Sequence, residues 1–144
     1  MESYSIRPAV LEDTRGLYSL DHTALASAER RSTIDRAIRE ARILVVEHSG
    51  VVAGYGIISH EFYGRSFLEL VYIAEPSRGK GLGPKLIRAL EQQSQSTSLF
   101  TSTNQSNVHM QHVLESLGYE ASGIIHNLDP GDPELVYVKH GLRP

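Results

Sequence analysis

The stretch Ser77-Arg78-Gly79-Lys80-Gly81-Leu82-Gly83 packs three glycines and two cations into seven residues. A β-type run, Phe67 to Ala74, precedes it, and a helix-type run, Leu82 to Gln93, follows. The chain must therefore pass from strand to helix through a turn whose backbone conformations glycine adopts at little cost. Such a turn lets backbone N–H groups approach a ligand closely. The first turn of the helix adds unpaired N–H groups and the positive end of its dipole, and both attract anions. Arg78 and Lys80 add formal charge, and Pro84 is tolerated early in a helix. A glycine-rich turn with two solvated cations is the plainer alternative.

Two phosphate-binding loops do not fit. A P-loop needs G-x-x-x-x-G-K followed by Ser or Thr. Here Ala74 stands where the first glycine belongs and Gly81 where the metal-binding hydroxyl belongs. The dinucleotide fingerprint G-x-G-x-x-G starts well at Gly79 and Gly81 but meets Pro84 at its third glycine. The long β-α-β alternation around that fingerprint is missing too. A nucleotide-binding domain of either kind is disfavoured.

The remaining pattern reads as short strands and helices. Tyr4 to Ala9 is a short strand, and "LEDTRGLYSLD" is a weak helix with Asp13 near its start. Ser27 to Arg42 is a helix with Ile34, Ala37, Ile38 and Ala41 at i, i+3, i+4, i+7. Strands follow at 43–47 and 51–60, joined at His48-Ser49-Gly50, and then comes the Phe67 to Ala74 run. "SLFTST" is a strand, and Asn107 to Leu117 is a helix stopped by Gly118. The end is a hairpin around Asp129-Pro130-Gly131-Asp132-Pro133. The order β-α-α-β-β-β-α-β-α-β-β predicts an α+β fold. We expect one domain spanning 1–144, with a mixed sheet and helices on its faces.

Composition narrows the function classes. The 144 residues suit one domain, which at this size buries roughly 68–70% of the surface of its unfolded chain. A net charge of −3 argues against a nucleic-acid partner. The absence of cysteine excludes disulfides, thiolate metal sites and a cysteine nucleophile. The opening "MESYSIRPAV" lacks the pattern of a secretion signal, and the apolar runs are far shorter than the ~20 residues of a membrane span. The expectation is a cytoplasmic monomer or homodimer without membrane or nucleic-acid partners.

R-x-x-G-x-G directly after a strand, here Arg78 to Gly83, resembles the pyrophosphate-binding motif of the GNAT superfamily of N-acetyltransferases. The segment Asn107 to Tyr119, "NVHMQHVLESLGY", is similar to that family's later helix, which begins with Asn and ends in Leu-Gly-Phe/Tyr. Ile6 to Ala9 with Asp13 looks like its first strand and turn, and the element order is similar too. The resemblance covers essentially the whole chain and implies an α+β fold with a mixed, mostly antiparallel central sheet and helices on both faces.

It implies transfer of an acetyl group from acetyl-CoA, as cosubstrate, to an amine, without a metal. The amides of Arg78, Gly79, Lys80, Gly81, Leu82 and Gly83 would hold the pyrophosphate. Backbone groups of Val71 and Ile73 would meet the pantetheine arm, and Asn107 would lie close to the cofactor. Val71 and Ile73 can serve equally as core residues. The reaction needs a base, because an alkylamine with a pKa of about 10.4 is protonated at neutral pH. Glu69 shares strand parity with Val71 and Ile73 and is the best candidate; Glu61 and His60 are weaker ones. The Ile73 N–H would serve the oxyanion. Many family members carry a tyrosine seven residues after the asparagine to serve the leaving thiolate, and Leu114 stands there instead. That departure keeps open a different reading, an acyl-CoA sensor with weak or no catalysis. Without cysteine no thiol acyl-enzyme can form, so direct transfer in a ternary complex is expected.

Other constellations carry less. His109 and His112 have a helical spacing that can share a metal, but no carboxylate or cysteine accompanies them. The arginines at 30, 31, 36 and 39 are interleaved with Glu29, Asp35 and Glu40, which reads as a solvated face. Asp129 to Glu134 is acidic enough to attract a cationic acceptor, or is simply a polar hairpin loop.

Overall fold

The computed structural model of the chain describes residues 3–144. Met1 and Glu2, the start of the stretch read above for a secretion signal, lie outside the described residues. The strands are β1 (Ser5–Pro8), β2 (Ile43–His48), β3 (Val51–Phe62), β4 (Arg65–Ile73), β5 (Leu99–Asn104), β6 (Glu120–Ile125) and β7 (Glu134–Lys139). The helices are α1 (Thr14–Leu20), α2 (His22–Ala26), α3 (Ala28–Arg39), α4 (Leu82–Glu91) and α5 (Val108–Ser116). The strands form a seven-stranded sheet in the order β1-β2-β3-β4-β5-β7-β6. Pairing is antiparallel between β1 and β2, β2 and β3, β5 and β7, and β6 and β7, and parallel between β4 and β5. The α+β expectation, with a mostly antiparallel mixed sheet, matches this. No helix among the described residues is long and apolar enough to cross a membrane.

The chain divides into two compact units. The first comprises Met1–Ile58 and Leu70–Leu90. Its core joins Leu17, Ala24, Ile34 and Ala37 of the helices to Ile43, Val45, Tyr55 and Ile57 of the strands, with Leu70 and Tyr72 packed against them. Each fully buried Leu or Ile there stabilises the fold by about 1.5–3 kcal/mol. A carboxylate sits inside this apolar layer. Asp21, fully buried, caps α2 by accepting from the Thr23 N–H at 2.9 Å and the Ala24 N–H at 3.4 Å. Its other oxygen accepts from Arg30 at 2.7 Å and from the Tyr55 hydroxyl. Burial, followed by the Asp21 contact, raises the Tyr55 pKa, so the hydroxyl stays a donor. On the rim, the Arg7 guanidinium bridges Asp13 at 2.8 Å and Glu47 at 2.9 Å.

The second unit comprises Ser59–Glu69 and Glu91–Pro144. Here β4 pairs with β5 in the register Ser66↔Leu99, Phe67↔Phe100, Leu68↔Thr101. Helix α5 ends as foreseen: Gly118 takes φ +93°, and the Tyr119 and Gly118 N–H groups bond to Leu114 and Glu115 carbonyls. That is the Schellman arrangement, which needs a left-handed residue at this point. The Tyr119 hydroxyl donates to buried Glu91 at 2.8 Å, and Lys139 reaches the same carboxylate at 3.1 Å.

Several boundaries differ from the sequence reading. The weak helix is a 3₁₀ turn (Leu11–Asp13) running into α1, and the short α2 follows as a separate element. The helix expected to reach Arg42 stops at Arg39, and Ala41 lies beyond it, exposed, with φ +55°. β3 and β4 meet in a two-residue turn at Tyr63-Gly64, where both residues have positive φ. Such a turn usually announces itself with Asn or Gly at its first position, and tyrosine hides it. The arginine face is only partly solvated. Arg30 neutralises Asp21, and Arg31 donates to the Ala24 carbonyl at the end of α2 at 2.7 Å.

Candidate active site

In the first unit the site grows from the end of β4. Val71 and Ile73 are half-buried. The Ala74 N–H donates to the Ala53 carbonyl at 2.8 Å, across to the β3 side. The carbonyl and N–H of one peptide point in opposite directions, so the Ile73 carbonyl faces away from β3. In extended backbone the Ile73 N–H faces that same edge. The strand end thus turns a donor and an acceptor to that edge, and the acceptor is the one Arg78 takes up.

The turn is built next. Glu75–Ser77 forms a 3₁₀ turn in which the Ser77 N–H bonds to Ala74 at 2.9 Å and the Arg78 N–H to Glu75 at 3.2 Å. The Arg78 amide is therefore engaged within the turn. Gly79 at φ +77° and Gly81 at φ +74° then take the left-handed conformation that disfavours other residues. Neither has any atom within 4 Å of where a Cβ would stand, so space is open above the turn. The chain enters α4 at Leu82, whose leading N–H groups have no acceptor inside the helix. Leu82, Leu86, Ile87 and Leu90 of α4 are buried. A Cβ on Gly56 would stand 2.5 Å from the Leu90 Cδ1, so the missing side chain lets α4 approach β3 closely.

The two cations of the turn are not loose. Arg78 Nε donates to the Ile73 carbonyl at 2.8 Å, and its guanidinium carbon lies 5.5 Å from the centre of the Tyr72 ring. Lys80 Nζ stands 3.3 Å from the Tyr4 hydroxyl and 5.6 Å from that ring's centre. Tyr4 in turn stacks on His48 at 4.6 Å.

In the second unit, Glu69 is exposed on β4. Of the weaker base candidates, Glu61 is exposed, and the His60 Nδ1 is 2.8 Å from the Ser66 hydroxyl. Asn107 is the N-cap of α5, its side-chain oxygen accepting from the Met110 N–H at 3.1 Å. That leaves its amide nitrogen as a donor group. His109 and His112 are exposed. Among the described residues no three His, Asp or Glu side chains gather as a metal site. Leu114 is 2% exposed and so belongs to the packing of α5. Two charged centres escaped the sequence reading, Asp21 with Tyr55 and Arg30, and Glu91 with Tyr119 and Lys139. Only the first had a local signal, an Asp directly before a helical stretch.

The model of the Acetyltransferase (GNAT) family matches residues 9–119. No curated protein matches the chain in sequence. Among solved structures, an acetyltransferase of the GNAT family from Bacillus cereus ATCC 10987 has a TM-score of 0.90 at 29% identity, over 98% of this chain and 99% of that one. The ribosomal-protein-S18-alanine N-acetyltransferase from Escherichia coli has a TM-score of 0.82 at 18% identity, over 99% and 96% of the two chains. The protein yncA from Salmonella typhimurium, solved with its cofactor acetyl-CoA, has a TM-score of 0.76 at 20% identity, over 95% and 93%. The last two share the fold.

Proposed function

Because the chain belongs to the GNAT acetyltransferase family, whose chemistry is acetyl transfer from acetyl-CoA, we propose that it acetylates a primary amine of a small molecule or peptide by direct transfer in a ternary complex. The observation that carries this reading is the left-handed turn at Gly79 and Gly81, opening α4 just after a strand end whose Ile73 N–H faces away from β3. In our reading the amides of Gly79, Lys80, Gly81, Leu82 and Gly83 surround the pyrophosphate, and Arg78 belongs to the same loop. Val71 and Ile73 offer backbone bonds to the pantetheine arm, and the Asn107 side-chain amide adds a donor to the cofactor.

The chemistry follows from these groups. The acceptor ammonium loses a proton to Glu69, directly or through water. The neutral nitrogen forms a bond to the thioester carbon, and the Ile73 N–H stabilises the oxyanion that develops. The C–S bond breaks, a water molecule relays the excess proton still on the nitrogen to the departing sulfur, and the products are the neutral amide and the free CoA thiol. A buried Leu114 offers no hydroxyl for that last step, and the Tyr119 hydroxyl is committed to Glu91.

The same leucine supports a second reading, a sensor that binds an acyl-CoA without turning it over. Initial rates at varied acetyl-CoA and amine, together with free-thiol detection, separate these readings. Intersecting lines with acceptor-dependent thiol release support direct transfer. Parallel lines contradict it, and binding without release favours the sensor.

A further inference from the structure

Arg78 is one of two formal cations in the cofactor loop, and its hydrogen bond runs back to the strand. Its Nε donates to the carbonyl of Ile73, five residues back, at 2.8 Å. Its guanidinium lies over Tyr72 at 5.5 Å. Tyr72 packs on the core and faces Tyr55 at 6.1 Å between ring centres. Tyr55 is tied through its hydroxyl to the buried Asp21. The turn is thus fastened to β4 by one side chain that lies on a rigid aromatic surface.

We infer that Arg78 is a positioning residue, a latch that closes the 73–78 turn and aims the amides after it, rather than a charge that contacts the pyrophosphate. The inference rests on the cofactor-loop reading given above. Without the latch, the turn before Gly79 loses its only side-chain tie to the Ile73 carbonyl among the described contacts. The Gly79 and Gly81 backbone, which has no neighbouring atom within 4 Å of an added Cβ, then samples other conformations.

Atom counting supplies the test. The Nε2 of a glutamine stands the same number of bonds from Cα as the Nε of arginine. Arg78→Gln therefore keeps the donor to Ile73 and removes the charge, whereas Arg78→Met removes both. Arg78 is exposed, so neither variant should unfold the protein; unchanged thermal melting checks this. Acetyl-CoA KM and kcat are then measured for wild type and both variants at several salt concentrations.

The latch predicts that Arg78→Met raises KM about five- to tenfold, the worth of one net hydrogen bond, with kcat within about twofold. Arg78→Gln stays within about twofold of wild type on both constants, and all three proteins share one salt slope. Equal loss in both variants, with a shallower salt slope, would mean a direct phosphate contact. That outcome overturns the latch and leaves the loop assignment standing. No change in either variant also overturns it. Failure of the wild type to bind acetyl-CoA removes the functional reading itself.

Discussion

Replacing Gly81 by alanine isolates the backbone contribution to cofactor binding. Gly81 sits at φ +74°, and nothing lies within 4 Å of an added Cβ. The methyl group therefore meets no steric obstacle, and the whole effect is the left-handed conformation. That conformation costs a non-glycine residue roughly 1–2 kcal/mol. The turn is exposed from Arg78 to Gly81, so the free protein relaxes it locally and keeps its stability. Acetyl-CoA must then restore the conformation, and the cost appears as an affinity loss of about 5- to 30-fold. Gly56→Ala makes the same chemical change with the opposite expected outcome. Its Cβ would stand 2.5 Å from Leu90 Cδ1 and 3.3 Å from Leu86 Cδ2 inside the core. Overpacking of that kind costs about 1–3 kcal/mol of fold stability. The pair is read by acetyl-CoA titration calorimetry and thermal melting. Gly81→Ala should lose affinity with little change in Tm, and Gly56→Ala should lower Tm. Wild-type affinity in Gly81→Ala would refute the argument that this turn is the cofactor cradle.

Three further outcomes follow from named contacts. Asp21→Ala leaves Arg30 without its carboxylate and the Tyr55 hydroxyl without its acceptor; urea unfolding should show a loss of about 3 kcal/mol, and a change under 1 kcal/mol would contradict it. The hydrogen bond from Arg7 holds the Asp13 carboxyl below its ordinary range. Its stabilising contribution is therefore complete above about pH 4 and fades as pH falls through the lowered value. Asp13→Asn should flatten the acid limb of stability against pH measured by urea midpoints, and parallel limbs would refute that. Glu69→Gln should lower kcat about 10²-fold at pH values below the acceptor's pKa, and a wild-type pH–rate profile would remove Glu69 from the mechanism.

The strand, turn and helix proposed as the cofactor cradle were readable because their signals are local. Two glycines with left-handed φ, a strand before them and a helix after them all lie within one short stretch, and so do the Asn107 cap and the Gly118 stop. The charged centres were not readable, because their partners are distant in the chain. Tyr55 and Asp21 are 34 residues apart, and Lys139 and Glu91 are 48 apart. Sequence spacing carries no trace of such pairs. The arginines of α3 show the same limit. Their acidic neighbours suggested a solvated face, yet Arg30 answers a buried carboxylate from another helix. Arg78 shows it at short range, since its charge suggested a phosphate contact and its hydrogen bond goes back to the strand. The Tyr63-Gly64 turn was hidden because a tyrosine holds a conformation usually given to Asn or Gly.

Acceptor-dependent release of CoA thiol across a panel of primary amines, with mass detection of the product, tests the central claim most directly. The account predicts that at least one amine gains one acetyl group for each thiol released. Binding of acetyl-CoA with no thiol release by any amine would contradict it.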